Sequence, residues 1–186
     1  MKRIICLWGG PGSGKSTTAA AIFAALKREG FSAELNREYI KDWVWEKREL
    51  IDGDQVYITA KQARKERIYM KQGLDFIITD SPLSLTTFYG NIYDKYEKKH
   101  GACKQIVKQH WSFCKDHGYK IDHFFLNRVH KYEPAGRFQT EEQAKVLDDQ
   151  LKTFLKEYPI NYVEVDCDEF VEENILEFYK TLKEKK

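Results

Sequence analysis

Five short apolar runs, each separated from the next by a helix-length stretch, constrain this chain most. The runs are RIICLW (3–8), FSAEL (31–35), DFIIT (75–79), IDHFFL (121–126) and INYVEV (160–165). Strands joined through helices need crossover connections, and such connections build a parallel sheet with helices on both faces. Helical patterns run over 15–29, 52–72, 83–96, 102–117, about 140–157 and 168–184. Gly30, Gly73 and Gly118 stand where helices should stop, and Thr140-Glu141-Glu142-Gln143 has the spacing of a capping box. The last helix passes from acidic to basic residues, in keeping with the helix dipole. The 186 residues suffice for one well-buried core but not for two, so the expectation is an α/β fold in a single domain over 1–186.

The loop between the first strand and the first helix reads Gly9-Gly10-Pro11-Gly12-Ser13-Gly14-Lys15-Ser16, a full match to G-x-x-x-x-G-K-[ST]. Its glycines let backbone N–H groups turn inward onto phosphate oxygens, and the helix behind adds its positive N-terminal end. Lys15 can reach the outer phosphates, and the Ser16 hydroxyl can hold Mg²⁺. Gly9, Gly10, Pro11, Gly12, Ser13, Gly14, Lys15, Ser16 and Thr17 are therefore the candidate nucleotide-binding residues.

In an open parallel sheet, ligands lie beyond the carboxyl ends of the strands. Asp80 follows DFIIT on that rim, where a carboxylate joins Ser16 as a second metal ligand or caps the next helix. Asp75 begins the same strand at the opposite rim and reads as structural. The segment ELNREYIKDWVWE (34–46) also emerges on the ligand rim. Glu38 can orient or deprotonate an attacking hydroxyl, with Glu34 and Asp42 as rival acids. Arg37 can bind an acceptor phosphate, and the Trp43 ring either stacks on a base or belongs to the core. Gln62 lies on a helix that could border the acceptor, where an amide can meet a base with two hydrogen bonds. Arg37, Glu38, Trp43, Gln62 and Asp80 make up the expected acceptor side. The irregular stretch 127–139 carries Arg128, Lys131 and Arg137 and reads as a short lid delivering cations to a transferring phosphoryl group. Lys15, Glu38, Arg128 and Arg137 are the candidate catalytic residues.

The phosphate loop, the post-strand NREY, the strand end TDSP and the lid NRVHKYEPAGRFQTEEQA together resemble the small P-loop kinases, over nearly the whole chain. The nearest resemblance is to phage-encoded kinases described as AAA-type ATPases and akin to nicotinamide riboside kinases. It implies a three-layer P-loop NTPase fold with five parallel strands in the order 2-3-1-4-5, and ATP and Mg²⁺ as cofactors. Polynucleotide 5′-hydroxyl kinases carry Asn-Arg-Asp after the second strand; here the stretch is Asn36-Arg37-Glu38. Deoxynucleoside kinases place a base Glu five residues before a Trp and use a helical Gln for the nucleobase; Glu38, Trp43 and Gln62 fit that pattern. Those kinases follow the third strand with Glu-Arg-Ser, whereas this chain has Asp80-Ser81-Pro82. Some related phage kinases act on a hydroxymethyl base within DNA.

The reading is thus an ATP- and Mg²⁺-dependent kinase acting on a hydroxyl or phosphate of a nucleoside, a nucleotide or a nucleic acid. The alternative is a nucleotide-dependent switch or accessory ATPase without an acceptor. Against a GTPase switch, no Asn-Lys-x-Asp motif is present; against a large remodelling ATPase, there is no room for a second helical domain. A helical insert runs over about 83–118, and residues 94–120 are lysine-rich, with Tyr93, Tyr96 and Trp111 interleaved. It is either a nucleic-acid face or the solvated side of two surface helices. Its His and Cys residues match no usual zinc spacing. A net charge of +2 sets up no global field toward nucleic acid. No run is long enough to span a membrane, and the four cysteines form no CxxC pair, which suits a reducing compartment. The expected location is the cytoplasm, or that of an infected host. Oligomeric state and donor base are not legible.

Overall fold

The computed structural model describes residues 2–133, 139–158 and 160–180. Five strands form one parallel sheet: β1 (Lys2–Trp8), β2 (Ala33–Asn36), β3 (Phe76–Thr79), β4 (Tyr119–Asn127) and β5 (Val163–Asp166). Their order is β2-β3-β1-β4-β5, as the resemblance implied. The central strand, β1, is buried from Ile4 to Trp8 because both faces are covered.

Side chains alternate across a strand, and here each face meets different helices. Ile5 and Leu7 point with Phe76, Ile78, Phe124 and Leu126 toward α1 (Lys15–Arg28) and α8 (Val171–Lys180), where Ala19, Ile22, Leu26, Val171 and Ile175 complete one core. Ile4, Cys6 and Trp8 point the other way. They pack with residues of α3 (Asp54–Lys71), α4 (Leu83–Tyr93), α6 (Ala102–Asp116) and α7 (Glu141–Glu157), among them Met70, Leu85, Cys114, Leu147 and Leu151. α7 starts at the expected capping box: Thr140 Oγ1 accepts from Gln143 N, and the Gln143 side chain accepts from Thr140 N.

Some boundaries differ from the sequence expectation. The single helix expected over 83–96 breaks at Asp94, whose side chain caps a separate α5 (Lys95–His100) by accepting from Glu97 N. The other Asp94 oxygen accepts from Gly53 N at 2.7 Å, so the break ties two distant turns together. A short α2 (Lys41–Trp45) follows β2. β4 begins at Tyr119 rather than 121, and β5 at Val163 rather than 160. Ile160 is buried, but as a core side chain outside the strand. All four cysteines are free and buried. Among the described residues no helix is long and apolar enough to cross a membrane, and no group of three or more His, Cys, Asp or Glu side chains could hold a metal.

Candidate active site

The phosphate loop turns tightly between β1 and α1. Gly9, Gly12 and Gly14 all have positive φ, at 138°, 78° and 90°, which strains any other residue. Gly14 has a second reason: a Cβ there would run into Cys167 Sγ. Lys15 Nζ donates to the carbonyls of Gly9 and Gly10 at 2.6 and 2.7 Å. Burial lowers the Lys15 pKa, while Glu38, Asp80 and Asp148 pull it back up, in that order. Burial likewise raises the Glu38 carboxyl, with Lys15 opposing the shift. The two groups therefore feel one another's charge in a desolvated place. Ser16 and Thr17 are exposed at the start of α1.

Three side chains hold the segment that carries Glu38. Asp80, 3 % exposed, accepts from the Glu38 backbone N–H at 2.9 Å. Gln62 accepts from Tyr39 N at 3.2 Å and donates to the Ser81 carbonyl at 3.0 Å. Asn36 donates to Glu66 at 2.8 Å, and the other Glu66 oxygen meets His110 Nε2 at 2.7 Å. The Gln62 amide thus stitches the ends of β2 and β3 together, and little of it is left for a ligand.

Glu38 and Lys15 both line a cavity of about 260 Å³. Tyr39, Tyr89, Tyr93, Ile40, Val44, Leu50, Ile58 and Leu85 form its apolar and aromatic side; Gln55, Gln62, Ser81, Thr86 and Lys41 add polar groups, and the phosphate loop from Pro11 to Thr17 borders the same space. Burial pushes the Tyr89 phenol up, so it serves as a neutral hydroxyl. Leu50 belongs to the α2–α3 connection, which is pinned over the cavity by Gly53 N to Asp94 and by Lys95 N to Asp52, the latter at 3.1 Å. Gln55 is only 7 % exposed, and its amide has no hydrogen-bond partner among the described residues.

Two expected acceptor residues fall outside this wall. Arg37 is exposed and does not line the cavity. Trp43 is buried beside it: its ring stacks on Tyr57 at 6.1 Å, the Arg48 guanidinium covers it at 3.7 Å, and Tyr39 meets it edge-on. The indole backs the cavity through Tyr39 instead of facing it.

On the other side of the loop, Arg128 follows β4 with its side chain 9 % exposed. Its Nη2 donates to Asp148 Oδ2 at 2.9 Å, while Nε and Nη1 have no partner among the described residues. The buried Ser13 hydroxyl is also unpaired. The Tyr132 ring lies against Gly12, with the guanidinium 5.8 Å from its centroid. Unpaired donors around a glycine cradle are what a polyphosphate satisfies, so these residues fit ATP. Asp80 has one oxygen left beyond its bond to Glu38 N; with the Ser16 hydroxyl it would hold Mg²⁺. Arg137 lies outside the described residues. Sequence reasoning missed Gln55, Tyr89 and Asp148. Gln55 sits seven residues before Gln62, two turns along the same helix face, which was its only local signal.

No curated protein sequence matches the chain. Among solved structures it is similar to NadR protein in complex with NR, at 16 % identity and a TM-score of 0.58, covering 90 % of this chain and 46 % of that one. A deoxyadenosine kinase from M. mycoides, with dCMP and a flexible dCDP bound, aligns at 14 % identity with a TM-score of 0.50, covering 98 % and 100 % of the two chains. The crystal structure of APE1195 aligns at 18 % identity with a TM-score of 0.50, covering 98 % and 95 %. At these identities the likeness shows the fold alone, a parallel sheet in the order 2-3-1-4-5 with helices around it. The AAA_28 model, an AAA domain, matches residues 4–173, and the chain belongs to that family.

Proposed function

We propose that this protein is a Mg²⁺- and ATP-dependent kinase that phosphorylates a hydroxyl of a small nucleoside-like acceptor. One observation carries the reading: a carboxylate and the phosphate-loop lysine line the same small cavity, along with aromatic side chains. A switch or a motor has no use for such a chamber.

In this reading the loop amides and Lys15 hold the β- and γ-phosphates, and adenine is the default donor base. Mg²⁺, when bound at Ser16 and Asp80, neutralises charge between the phosphates. The acceptor enters the cavity with its hydroxyl toward Glu38. Glu38 takes the hydroxyl proton as the oxygen attacks the γ-phosphorus; its raised pKa keeps it basic enough for the task. Arg128 stabilises charge on the transferring group, and Arg137 of the lid is assigned the same task. The α2–α3 connection keeps water from competing.

The size and chemistry of the wall favour an uncharged acceptor. At about 260 Å³ the cavity is at the small end of ligand pockets. Among the described residues, Lys41 is the only cation in its lining besides Lys15, and no guanidinium lines it to grip a second phosphate. The unpaired Gln55 amide suits a planar ring with a neighbouring donor and acceptor. Structures that share the fold hold NR in one case and the nucleotide dCMP in the other, so the fold alone does not choose between the acceptor classes. Nucleotides and nucleic acids, including a hydroxymethylated base in DNA, are the competing acceptors.

The test is transfer from γ-labelled ATP across nucleosides, nicotinamide riboside, 5′-monophosphates, 5′-hydroxyl oligonucleotides and hydroxymethylated DNA. Label should accumulate on one or more nucleosides. Hydrolysis that no acceptor changes would overturn the kinase reading in favour of an accessory ATPase. Label confined to nucleotides or polymers would overturn the acceptor class alone.

A further inference from the structure

We infer that Asp148 is a positioning residue for phosphoryl transfer: its one carboxylate fixes the phosphate loop at Gly10 and aims Arg128 at the transferring group. The inference rests on the kinase reading above for what Arg128 does.

The geometry is unusual in joining three distant pieces of chain at one side chain. Asp148 Oδ1 accepts from Gly10 N at 2.5 Å, across 138 residues. Asp148 Oδ2 accepts from Arg128 Nη2 at 2.9 Å. α7 lies directly on the loop, because a Cβ on Gly10 would come within 2.6 Å of Asp148 Oδ1 and 2.9 Å of the Ala144 carbonyl. Ala144 and Asp148 are four residues apart and share a helix face. The flanking Leu147 and Leu151 are buried in the core, so the helix cannot rotate Asp148 away without losing that packing.

The effect on Arg128 is specific. One of its three nitrogens is used by Asp148, and the other two are buried without partners among the described residues. Nη1 lies 3.0 Å from the position a Gly12 Cβ would take, against the loop itself. A guanidinium is rigid and planar, so fixing Nη2 fixes the direction of Nη1 and Nε. The carboxylate also lies close enough to Lys15 to raise its pKa. Holding the cation in place before the reaction avoids reorganising it during the reaction, which is where electrostatic catalysis gains most.

Asp148→Asn separates the two contacts. Its amide oxygen still accepts from Gly10 N, but the charge facing Arg128 is gone. Asp148→Asn, Arg128→Ala and the double variant are compared with the wild type. Turnover is read twice, as transfer to an acceptor and as ATP hydrolysis without one, together with KM for ATP and melting temperature. Asp148→Asn should lower turnover about tenfold or more, the scale of one lost charge coupling, with KM for ATP within about twofold. In the Arg128→Ala background the same change should have no further effect. Wild-type turnover in Asp148→Asn overturns the inference. So does an equal loss with and without Arg128, which would make Asp148 a structural anchor only. If no acceptor is ever labelled, the kinase reading fails, while the coupling is still read from hydrolysis. A melting temperature close to wild type in Asp148→Asn excludes misfolding as the cause of lost turnover.

Discussion

Acidification should loosen the fold at one ring, that of His123. Trp8 Nε1–H donates to His123 Nδ1 at 2.9 Å, so the imidazole must be neutral, with its proton on Nε2. Burial depresses its pKa to about 4. In the unfolded chain the ordinary value is about 6.5. Between these values the unfolded chain binds a proton that the folded chain refuses, so stability rises with pH through that window. It is complete above about pH 6.5 and lost progressively as pH falls toward 4. At about 1.4 kcal/mol per unit, the full difference is about 3 kcal/mol. That is a large share of a typical domain's about 5–15 kcal/mol. Trp8 is wholly buried and directly precedes Gly9, so the disturbance reaches the phosphate loop. The assay is urea unfolding at several pH values from 7 to 4.5, for wild type and His123→Gln. The glutamine can still accept from Trp8 but does not titrate, and carboxylates elsewhere act alike in both proteins. The wild type should lose more stability than the variant, by about 2–3 kcal/mol over that range. Parallel pH profiles would refute the reasoning.

Other expectations follow from the site. Glu66→Ala leaves Asn36 and His110 buried without their partner and should cost roughly 2–4 kcal/mol. It should also reduce turnover, since Asn36 anchors the segment bearing Glu38; a melting temperature within a degree of wild type would contradict this. Gln55→Leu should raise the acceptor KM about tenfold by removing a buried, unpaired amide from the cavity wall, while KM for ATP stays put. Steady-state kinetics with both substrates varied decide it, and an unchanged acceptor KM would remove Gln55 from recognition. Burial raises the Glu38 pKa, and the active form is the carboxylate. The acid limb of kcat/KM should therefore lie above the usual Glu value of about 4.3 and vanish in Glu38→Gln; a limb at the ordinary value would count against Glu38 as the base.

What could be read in advance was what depends on neighbouring residues or on topology. Gly9 to Ser16 carry their geometry in their spacing. Glu38 and Asp80 were placed by a rule of parallel sheets, that strand ends share a rim, and they meet through a backbone hydrogen bond. The choice between Gln55 and Gln62 was not legible. Both point the same way from α3, and only the path of the chain at Tyr39 and Ser81 decides which amide is consumed. Asp148 was invisible because its partner Gly10 is 138 residues away. Within its own helix it reads as one more acid in a polar stretch. Trp43 and Arg37 show the same limit: composition marks an aromatic and basic segment but not which side faces a cavity. Asp94 is a subtler case, an acid in a helical pattern that breaks the helix because Gly53 N also needs an acceptor.

The central claim is that a phosphoryl group passes from ATP to a hydroxyl that Glu38 deprotonates. The most direct measurement is γ-phosphate transfer to the best acceptor by wild type and by Glu38→Gln, with ATP binding titrated in parallel. Transfer should fall by about 10²–10⁴-fold in the variant, with ATP affinity preserved. Transfer at the wild-type rate in Glu38→Gln, with ATP bound equally well, would contradict it.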